Sequence, residues 1–504
     1  MEIRGIHIDL KAQMMRFDYL KRTVRELADM GFNTLLLEYQ DKFPYTGELA
    51  CLAAPDALTE AEIQELKALC RSLGMQIIPM VQCIGHMYWV TRFPPFAPLG
   101  EHYGDKGPGS HSLCPSMDGS FALFQALCSQ VFRLHPERGY FHIGGDEVKF
   151  SDNCPRCHNK SQGELLGSYY RKVLSHIEDS GYTPVMWGDM VVKYPQISAF
   201  LPKGTLIMDW EYHTGLTRDH QTQFYRDIAP LNPPSDTPFS NTPKLTAQGF
   251  QVLTAPALRS MGDSCFLPRP IHLDNCVEAF YTAQEHSAKG IMVTSWAVRR
   301  SPWCLTKPVL SVIAALFRTP GATFSSAIAA YARQAFGKDV PALGLLPFLL
   351  GQAVLEAQKS ADFLSSGQDF MDPETGMFLS DSLEKRLGSV DIRDNAVVIA
   401  AYEKLNRTAS DLKQQLMASG SRTEDAQMLL WALENALFLS RYVTELCRNY
   451  ADPEWLQKQL ALFDEFRSQV AQLSRYYTDF SLPSEYQSRI DIHKAFLEKL
   501  LENI

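Results

Sequence analysis

Through roughly the first 300 residues, short apolar runs rich in β-branched residues recur at intervals too long for hairpins. They are Ile3–Ile8, Thr34–Leu37, Gln76–Val81, Tyr140–Ile143, Pro184–Trp187, Thr205–Met208, Gln251–Thr254 and Gly290–Thr294. Each reads as a strand. Most of the intervening stretches carry apolar residues at three- and four-residue spacing instead. Phe17–Met30 reads FDYLKRTVRELADM and stops at Gly31, and Thr59–Leu73 reads TEAEIQELKALCRSL and stops at Gly74. Thr59 with Glu62 forms a capping-box start, and a glycine just past the last turn is a common stop. Strands alternating with helices imply parallel strands joined by crossovers. Eight such units predict an α/β fold, a closed (β/α)8 TIM barrel, which typically takes about 250 residues. An open doubly wound sheet of seven or eight strands is the alternative this pattern leaves.

The strand signal fades after about residue 330. Asn395–Ser419, Thr423–Arg448, Pro453–Tyr477 and Ser484–Glu502 all carry helical spacing. The expected organisation is a catalytic barrel over residues 1–330 and an all-α C-terminal domain over 331–504. Ser365–Gly376 and Ser380–Asp394 read as connecting loops, and Ile228–Gln248, rich in Pro, Ser, Thr and Asn, as a long surface loop. The apolar stripes of the helical domain could pack on the barrel or on a second copy, so a homodimer is one arrangement they allow.

Bulk composition narrows the function classes. The chain has 504 residues, 45% hydrophobic and 21% charged, with a formal net charge of -9. An acidic chain does not suit nucleic acid, and no run of 18 apolar residues predicts a membrane span. The N-terminus MEIRGIHIDL alternates apolar with polar residues, which is strand-like and unlike a signal peptide. The 11 cysteines show no framework spacing, as expected of thiols in a reducing compartment. Both readings point to the cytoplasm.

In a barrel the active site lies at the C-terminal ends of the strands, and chemistry-bearing residues cluster there. The first strand contains Arg4 and His7. The second runs into Glu38, Tyr39 and Asp41, and the third is followed by Gly85-His86. The fourth ends in Asp146-Glu147, the fifth in Trp187 and Asp189, the sixth in Asp209, Trp210, Glu211 and Tyr212, the eighth in Ser295-Trp296. Carboxylates below aromatic walls suit a sugar, whose C–H faces stack on rings while its hydroxyls bond to acids and Arg. Adjacent acids on an extended chain point in opposite directions, however, whereas a two-carboxylate glycosidase needs its acids facing each other across the bond.

His142-Ile143-Gly144-Gly145-Asp146-Glu147 resembles the signature of family 20 glycoside hydrolases, the β-N-acetylhexosaminidases. Arg4–Asp9 (RGIHID) is similar to that family's first barrel strand. LLLEYQDKFPY (Leu35–Tyr45), IIPMVQCIGHMYWV (Ile77–Val90) and WEY (Trp210–Tyr212) resemble its hexosaminidase D branch. The resemblance covers about residues 3–310 and implies a substrate-assisted mechanism, an exception to two-carboxylate hydrolysis. The substrate's own 2-acetamido oxygen attacks the anomeric carbon. Glu147 would be the general acid and then the general base. Asp146 would accept a hydrogen bond from the acetamide N–H and orient it. Arg4 would bind the O3/O4 side of the sugar, His86 would support the acid, and Asp41 would belong to the same polar network, with Glu38 a further polar candidate at that strand end. Trp187, Trp210 and Trp296 would box in the acetamide methyl and the ring. Two positions depart from the secreted enzymes. Their seventh strand carries a Tyr on the acetamide oxygen where this chain has Ala255–Leu258, so Tyr212 is the substitute. Their last strand carries a Glu where this chain has Val298. The implied substrate is a glycan or glycoconjugate with terminal β-linked GlcNAc or GalNAc.

Two rival readings remain: an ordinary two-carboxylate glycosidase pairing Glu147 with Glu38, Asp41 or Glu211, and a non-catalytic sugar-binding barrel. The stretch Cys154-Pro155-Arg156-Cys157-His158 resembles a haem-attachment motif, which needs export, or half of a tetrahedral zinc site. Cys114, Cys128 or His135 could complete such a site only by folding together. The substrate-assisted mechanism uses no metal and no cofactor.

Overall fold

The computed structural model describes residues 1–11, 13–101, 110–151, 154–157, 159–212, 239–260, 268, 270–296, 302–360, 395–480, 482–502 and 504. All eight predicted strands form: β1 (Ile3–Asp9), β2 (Thr34–Glu38), β3 (Gln76–Met80), β4 (Tyr140–His142), β5 (Thr183–Trp187), β6 (Leu206–Trp210), β7 (Gln251–Ala255) and β8 (Gly290–Ser295). Every neighbouring pair is parallel, and β1 also pairs with β8 from Ile3↔Gly290 to Ile8↔Ser295. The sheet therefore closes on itself, and the open doubly wound alternative is excluded.

Closure follows from the residues that fill the interior. Ile3, Leu36, Ile78, Met80, Val185, Trp187, Leu206, Met208, Leu253, Ala255 and Met292 form one buried cluster. These come from alternate positions along the strands, as stacked interior layers require. Burial extends to both faces of the strands: Thr34–Glu38 is buried at all five positions. Such strands read as continuous apolar runs rather than alternating ones.

The helices around the barrel form where the periodicity predicts, at Phe17–Asp29 and Glu60–Ser72 among others. Thr59 Oγ accepts from Glu62 N, and the Glu62 carboxylate accepts from Thr59 N, completing the capping box. Within the segment read as loop before β7, Asn241–Ala247 is a helix. Asp209, at the end of β6, accepts a 2.7 Å hydrogen bond from Thr242 at its start, a long-range contact with no local signature. Residues 228–238 of that loop, and the two loops read within 365–394, lie outside the described residues.

The chain divides into two compact units. One is drawn from Met1–Thr217, Ser235–Ala257 and Asn275–Ala297; the other takes in Leu258–Asp274 and Val298–Ile504. Among its described residues the second unit is helical beyond the barrel, with Lys307–Arg318, Phe324–Phe336, Pro341–Ser360, Ala396–Ala418, Glu424–Asn449, Pro453–Val470 and Leu482–Glu502. Ala396–Ala418 packs against both Pro341–Ser360 and Glu424–Asn449. The helix read as running to Tyr477 ends at Val470. Tyr477 is fully buried, and its hydroxyl accepts the Trp303 backbone N–H at 2.6 Å. Among the described residues no single helix is long and apolar enough to cross a membrane.

Candidate active site

The site is built where β1–β6 and β8 end. β4 stops at His142, and the chain turns through Gly144 and Gly145 at φ +65° and +86°. These left-handed angles cost little only for glycine. A Cβ on Gly144 would also meet Gln82 Oε1 at 1.8 Å. Glu147 itself holds φ +45°, a conformation unfavourable for a side-chain-bearing residue. It is secured by its own N–H, which donates to Asp189 Oδ2 at 2.9 Å. The turn aims the two acids in a common direction. Asp146 Oδ2 lies 3.1 Å and Glu147 Oε2 3.5 Å from the same nitrogen, His86 Nε2. Two carboxyls sharing one imidazole nitrogen stand side by side, not across a sugar ring.

Their environments differ. Asp146 is buried at 5% exposure, and its Oδ1 has no hydrogen-bond partner among the described residues. The Glu147 side chain is 48% exposed. Asp189 completes a group of three acids. Burial, and next the charge of Asp146, push its carboxyl from an ordinary 3.8 up to about 7. His86 reaches the acids from the loop after β3 with φ +52°. Its ring lies 4.7 Å from that of His111, whose Nδ1 is 3.2 Å from Ser112 Oγ. Gly85 lets that loop approach: a Cβ there would sit 2.2 Å from the Asp146 carbonyl oxygen.

A second polar layer lies under the pocket. Glu38 is buried at the end of β2. Its Oε2 is 3.1 Å from His7 Nε2, and its Oε1 accepts from Gln40 Nε2 at 2.8 Å and Gln82 Nε2 at 3.3 Å. Burial alone would raise this carboxyl. The His7 hydrogen bond, the Lys11 charge and the Gln40 hydrogen bond outweigh it and hold the group below the usual carboxylate range. Glu38 is thus a fixed anion that orients its neighbours, not an acid. His142 is fully buried, its Nδ1 accepts the Gly144 N–H at 2.9 Å, and burial lowers it to about 3. A neutral ring of that tautomer pins the glycine turn.

The aromatic residues at the ends of β5, β6 and β8 lie near one another. Trp187 is fully buried, with its ring 5.6 Å from Trp296 and 4.7 Å from His142. Trp210 stacks on Tyr212 at 4.9 Å, and Tyr212 meets Trp296 edge-on at 6.4 Å. Lys11 Nζ lies 5.9 Å over the Trp296 ring and 3.7 Å from Asp9 Oδ2.

Two residues expected at the sugar are bonded elsewhere. Arg4 is the second residue of β1, at the N-terminal end, and its Nε donates to Gly31 O at 2.7 Å in the turn before β2. It lies five residues from the strand's C-terminal end, about 16 Å along it. His7, of opposite strand parity, shares the inward face with Ile3 and lies 4.7 Å from Trp296. Asp41 sits 3.6 Å from Lys42 Nζ, which also pairs with Asp56. Its ion-pair partner is thus the neighbouring lysine rather than the histidine that gathers the acids. Val298 lies outside the described residues. The reading by strand ends undervalued Asp189 and left out Gln82 and His111. Parity along β1, counted from the apolar Ile3, would have favoured His7 over Arg4.

Comparison with known proteins finds related sequences and a related fold. The sequence profile of "Glycosyl hydrolase family 20, catalytic domain" matches residues 2–297. "Hexosaminidase D" of Homo sapiens is 32% identical over 313 residues, 58% of this chain and 60% of the relative. "Hexosaminidase D" of Bos taurus is 33% identical over 203 residues, 38% of this chain and 57% of the relative. The chain thus spans about three-fifths of the length of these curated relatives. The fold is shared with a solved β-N-acetylhexosaminidase at TM-score 0.50 and 17% identity, covering 67% of this chain and 78% of that one. With the profile match running from the start of β1 to just past β8, the chain belongs to glycosyl hydrolase family 20.

Proposed function

We propose that this protein is an exo-acting β-N-acetylhexosaminidase that removes terminal β-linked GlcNAc or GalNAc with retention, using the substrate's acetamide as nucleophile. The observation that carries the reading is the Asp146 carboxylate. One oxygen is held by His86, and the other, Oδ1, is buried without a hydrogen-bond partner among the described residues. A buried acceptor left open costs free energy until a donor arrives. The acetamide N–H of a bound sugar is a donor of the right kind, and Trp187, Trp210, Tyr212 and Trp296 offer apolar surface for its methyl group and ring.

In the first step Glu147 gives its proton to the glycosidic oxygen. The C1–O bond breaks as the acetamido oxygen bonds to C1, forming an oxazolinium. A bound sugar would shield the Glu147 carboxyl from bulk water. Asp146 holds the N–H and offsets the positive charge that develops on the ring. In the second step Glu147 takes a proton from water, whose oxygen bonds to C1 and reopens the oxazoline. The nucleophile arrives tethered, so little entropy is lost in aligning it. Tyr212 is the candidate donor to the acetamide oxygen, while Lys11 and Asp9 at the rim of β1 are candidates for sugar hydroxyls in place of Arg4. Ten described cysteines, none in a disulfide, support a reducing compartment such as the cytoplasm.

The test is Glu147→Gln assayed on chromogenic β-GlcNAc and β-GalNAc glycosides, with a thiazoline that mimics the oxazoline as inhibitor of the wild type. The reading expects turnover by the wild type, loss in the variant, and competitive inhibition. An active wild-type enzyme that ignores the thiazoline points to the two-carboxylate mechanism instead. Equal turnover by wild type and variant removes Glu147 from catalysis.

A further inference from the structure

Three buried cysteines and a buried glutamate meet beside the catalytic loop. Cys154 and Cys157 come from the turn that follows β4, closed by Cys157 N donating to Cys154 O at 3.2 Å. Cys114 and Glu101 come from the segment between β3 and the helix Asp118–Leu134. An isolated antiparallel bridge, Gly100↔Leu113, sets these two side by side. Glu101 N donates to Ser112 O and Cys114 N to Leu99 O, both at 2.8 Å. The four side chains offer one carboxylate oxygen and three sulfurs, all within 4.8 Å of one another. Of the partners the sequence left open for the Cys-x-x-Cys pair, Cys114 is the one brought in. His135 instead lies 3.0 Å from the Tyr39 hydroxyl.

We infer that Glu101, Cys114, Cys154 and Cys157 bind one structural zinc ion. Zinc bound tetrahedrally by sulfur at about 2.3 Å places its sulfurs about 3.8 Å apart. The Cys114–Cys154 and Cys114–Cys157 sulfurs are 3.9 and 3.5 Å apart, close to the edge length of such a tetrahedron. Packing three thiols together in an apolar core would serve no purpose that alanine or valine could not. The carboxylate is more telling. Glu101 is 2% exposed, its Oε1 is buried with no hydrogen-bond partner among the described residues, and its Oε2 takes the Ser151 N–H at 3.3 Å. An ionised carboxylate in that position is stabilised by a cation beside it. The soft thiolates favour zinc over magnesium or calcium, and four burying ligands with no open position make the site structural rather than catalytic. On binding, each thiol gives up its proton.

The ion would tie two loops together where it matters. The loop carrying Cys154 and Cys157 starts directly after Glu147. It is held to the opposite loop by the Ser151–Glu101 bond and by Lys149 N donating to Ser112 Oγ at 2.9 Å. Ser112 also contacts His111, which packs on His86. A zinc crosslink would therefore fix the frame on which the acid pair and its histidine sit.

The experiment is elemental analysis of the full chain purified under reducing conditions from zinc-replete cells without chelator, followed by cobalt titration of the chelator-stripped protein. The expected result is about one zinc per chain, intense visible bands of tetrahedral thiolate-bound cobalt, and a lower Tm after stripping. Cys154→Ser and Glu101→Gln should each lose most of the metal at ordinary dialysis. Because Cys154→Ser could fail to fold, Glu101→Cys serves as the second variant. It completes a four-thiolate site and should keep its zinc through dialysis that empties Glu101→Gln. Substoichiometric metal with no cobalt spectrum overturns the inference, as does bound iron in place of zinc, or a Cys114–Cys157 disulfide in the metal-free native protein. None of these outcomes depends on which glycoside the active site cleaves.

Discussion

Asp189 offers a sharp test of how the acid cluster is built. Its carboxyl is raised from 3.8 to about 7, first by burial and then by the charge of Asp146. In the unfolded chain the group loses its proton near pH 4; in the folded protein it keeps the proton until about pH 7. Between those values the folded state binds more protons than the unfolded one, so stability falls as pH rises, and above about pH 7 the loss is complete. Three units correspond to at most about 4 kcal/mol, and the stretch from pH 5 upward to about 3 kcal/mol. Asp189→Asn carries no such proton, and its amide oxygen can still accept the Glu147 N–H. The variant should therefore gain on the wild type as pH rises. With an unfolding entropy of about 2.1 cal/mol/K per residue over about 300 barrel residues, the gain amounts to ~4 °C. The assay is the Tm difference, variant minus wild type, by calorimetry at pH 5 and pH 8. A difference that is the same at both values, or larger at pH 5, would refute a buried and charge-crowded Asp189.

Two further predictions bear on the acid pair. Asp146→Asn places an amide where a bare acceptor faces the acetamide N–H; kcat on chromogenic β-HexNAc glycosides should fall about 100-fold or more with a smaller change in KM, checked by steady-state kinetics. Gly85→Ala puts a Cβ 2.2 Å from the Asp146 carbonyl oxygen, so backbone must move; a loss of about 1–3 kcal/mol and of most activity is expected, read by denaturant unfolding and the same assay.

Much of this molecule is written locally. Most of the eight strands announce themselves because a strand buried on both faces is largely apolar, as Thr34–Glu38 is. The helix at Glu60–Ser72 is marked at its start by Thr59 and Glu62 and at its end by Gly74. The acid pair was legible too, since two glycines that permit the turn precede it directly. What local pattern missed were contacts between distant segments. Asn241–Ala247 looked like loop because the partner of Thr242, Asp209, is 33 residues earlier. Tyr477, read as the end of the Pro453 helix, lies beyond it and binds Trp303, 174 residues away.

The chain by itself determined the barrel and the place of Asp146 and Glu147 at the end of β4, because periodicity and glycine placement act over a few residues. The tertiary structure alone decided which polar residues face the same space. It turned Arg4 to the far end of β1 and His7 inward, set Asp41 against Lys42, and brought both acids to one imidazole nitrogen. It also put Glu101 and Cys114 beside Cys154 and Cys157. Strand parity and loop closure set those meetings, and both depend on how the whole sheet closes rather than on any one stretch of sequence.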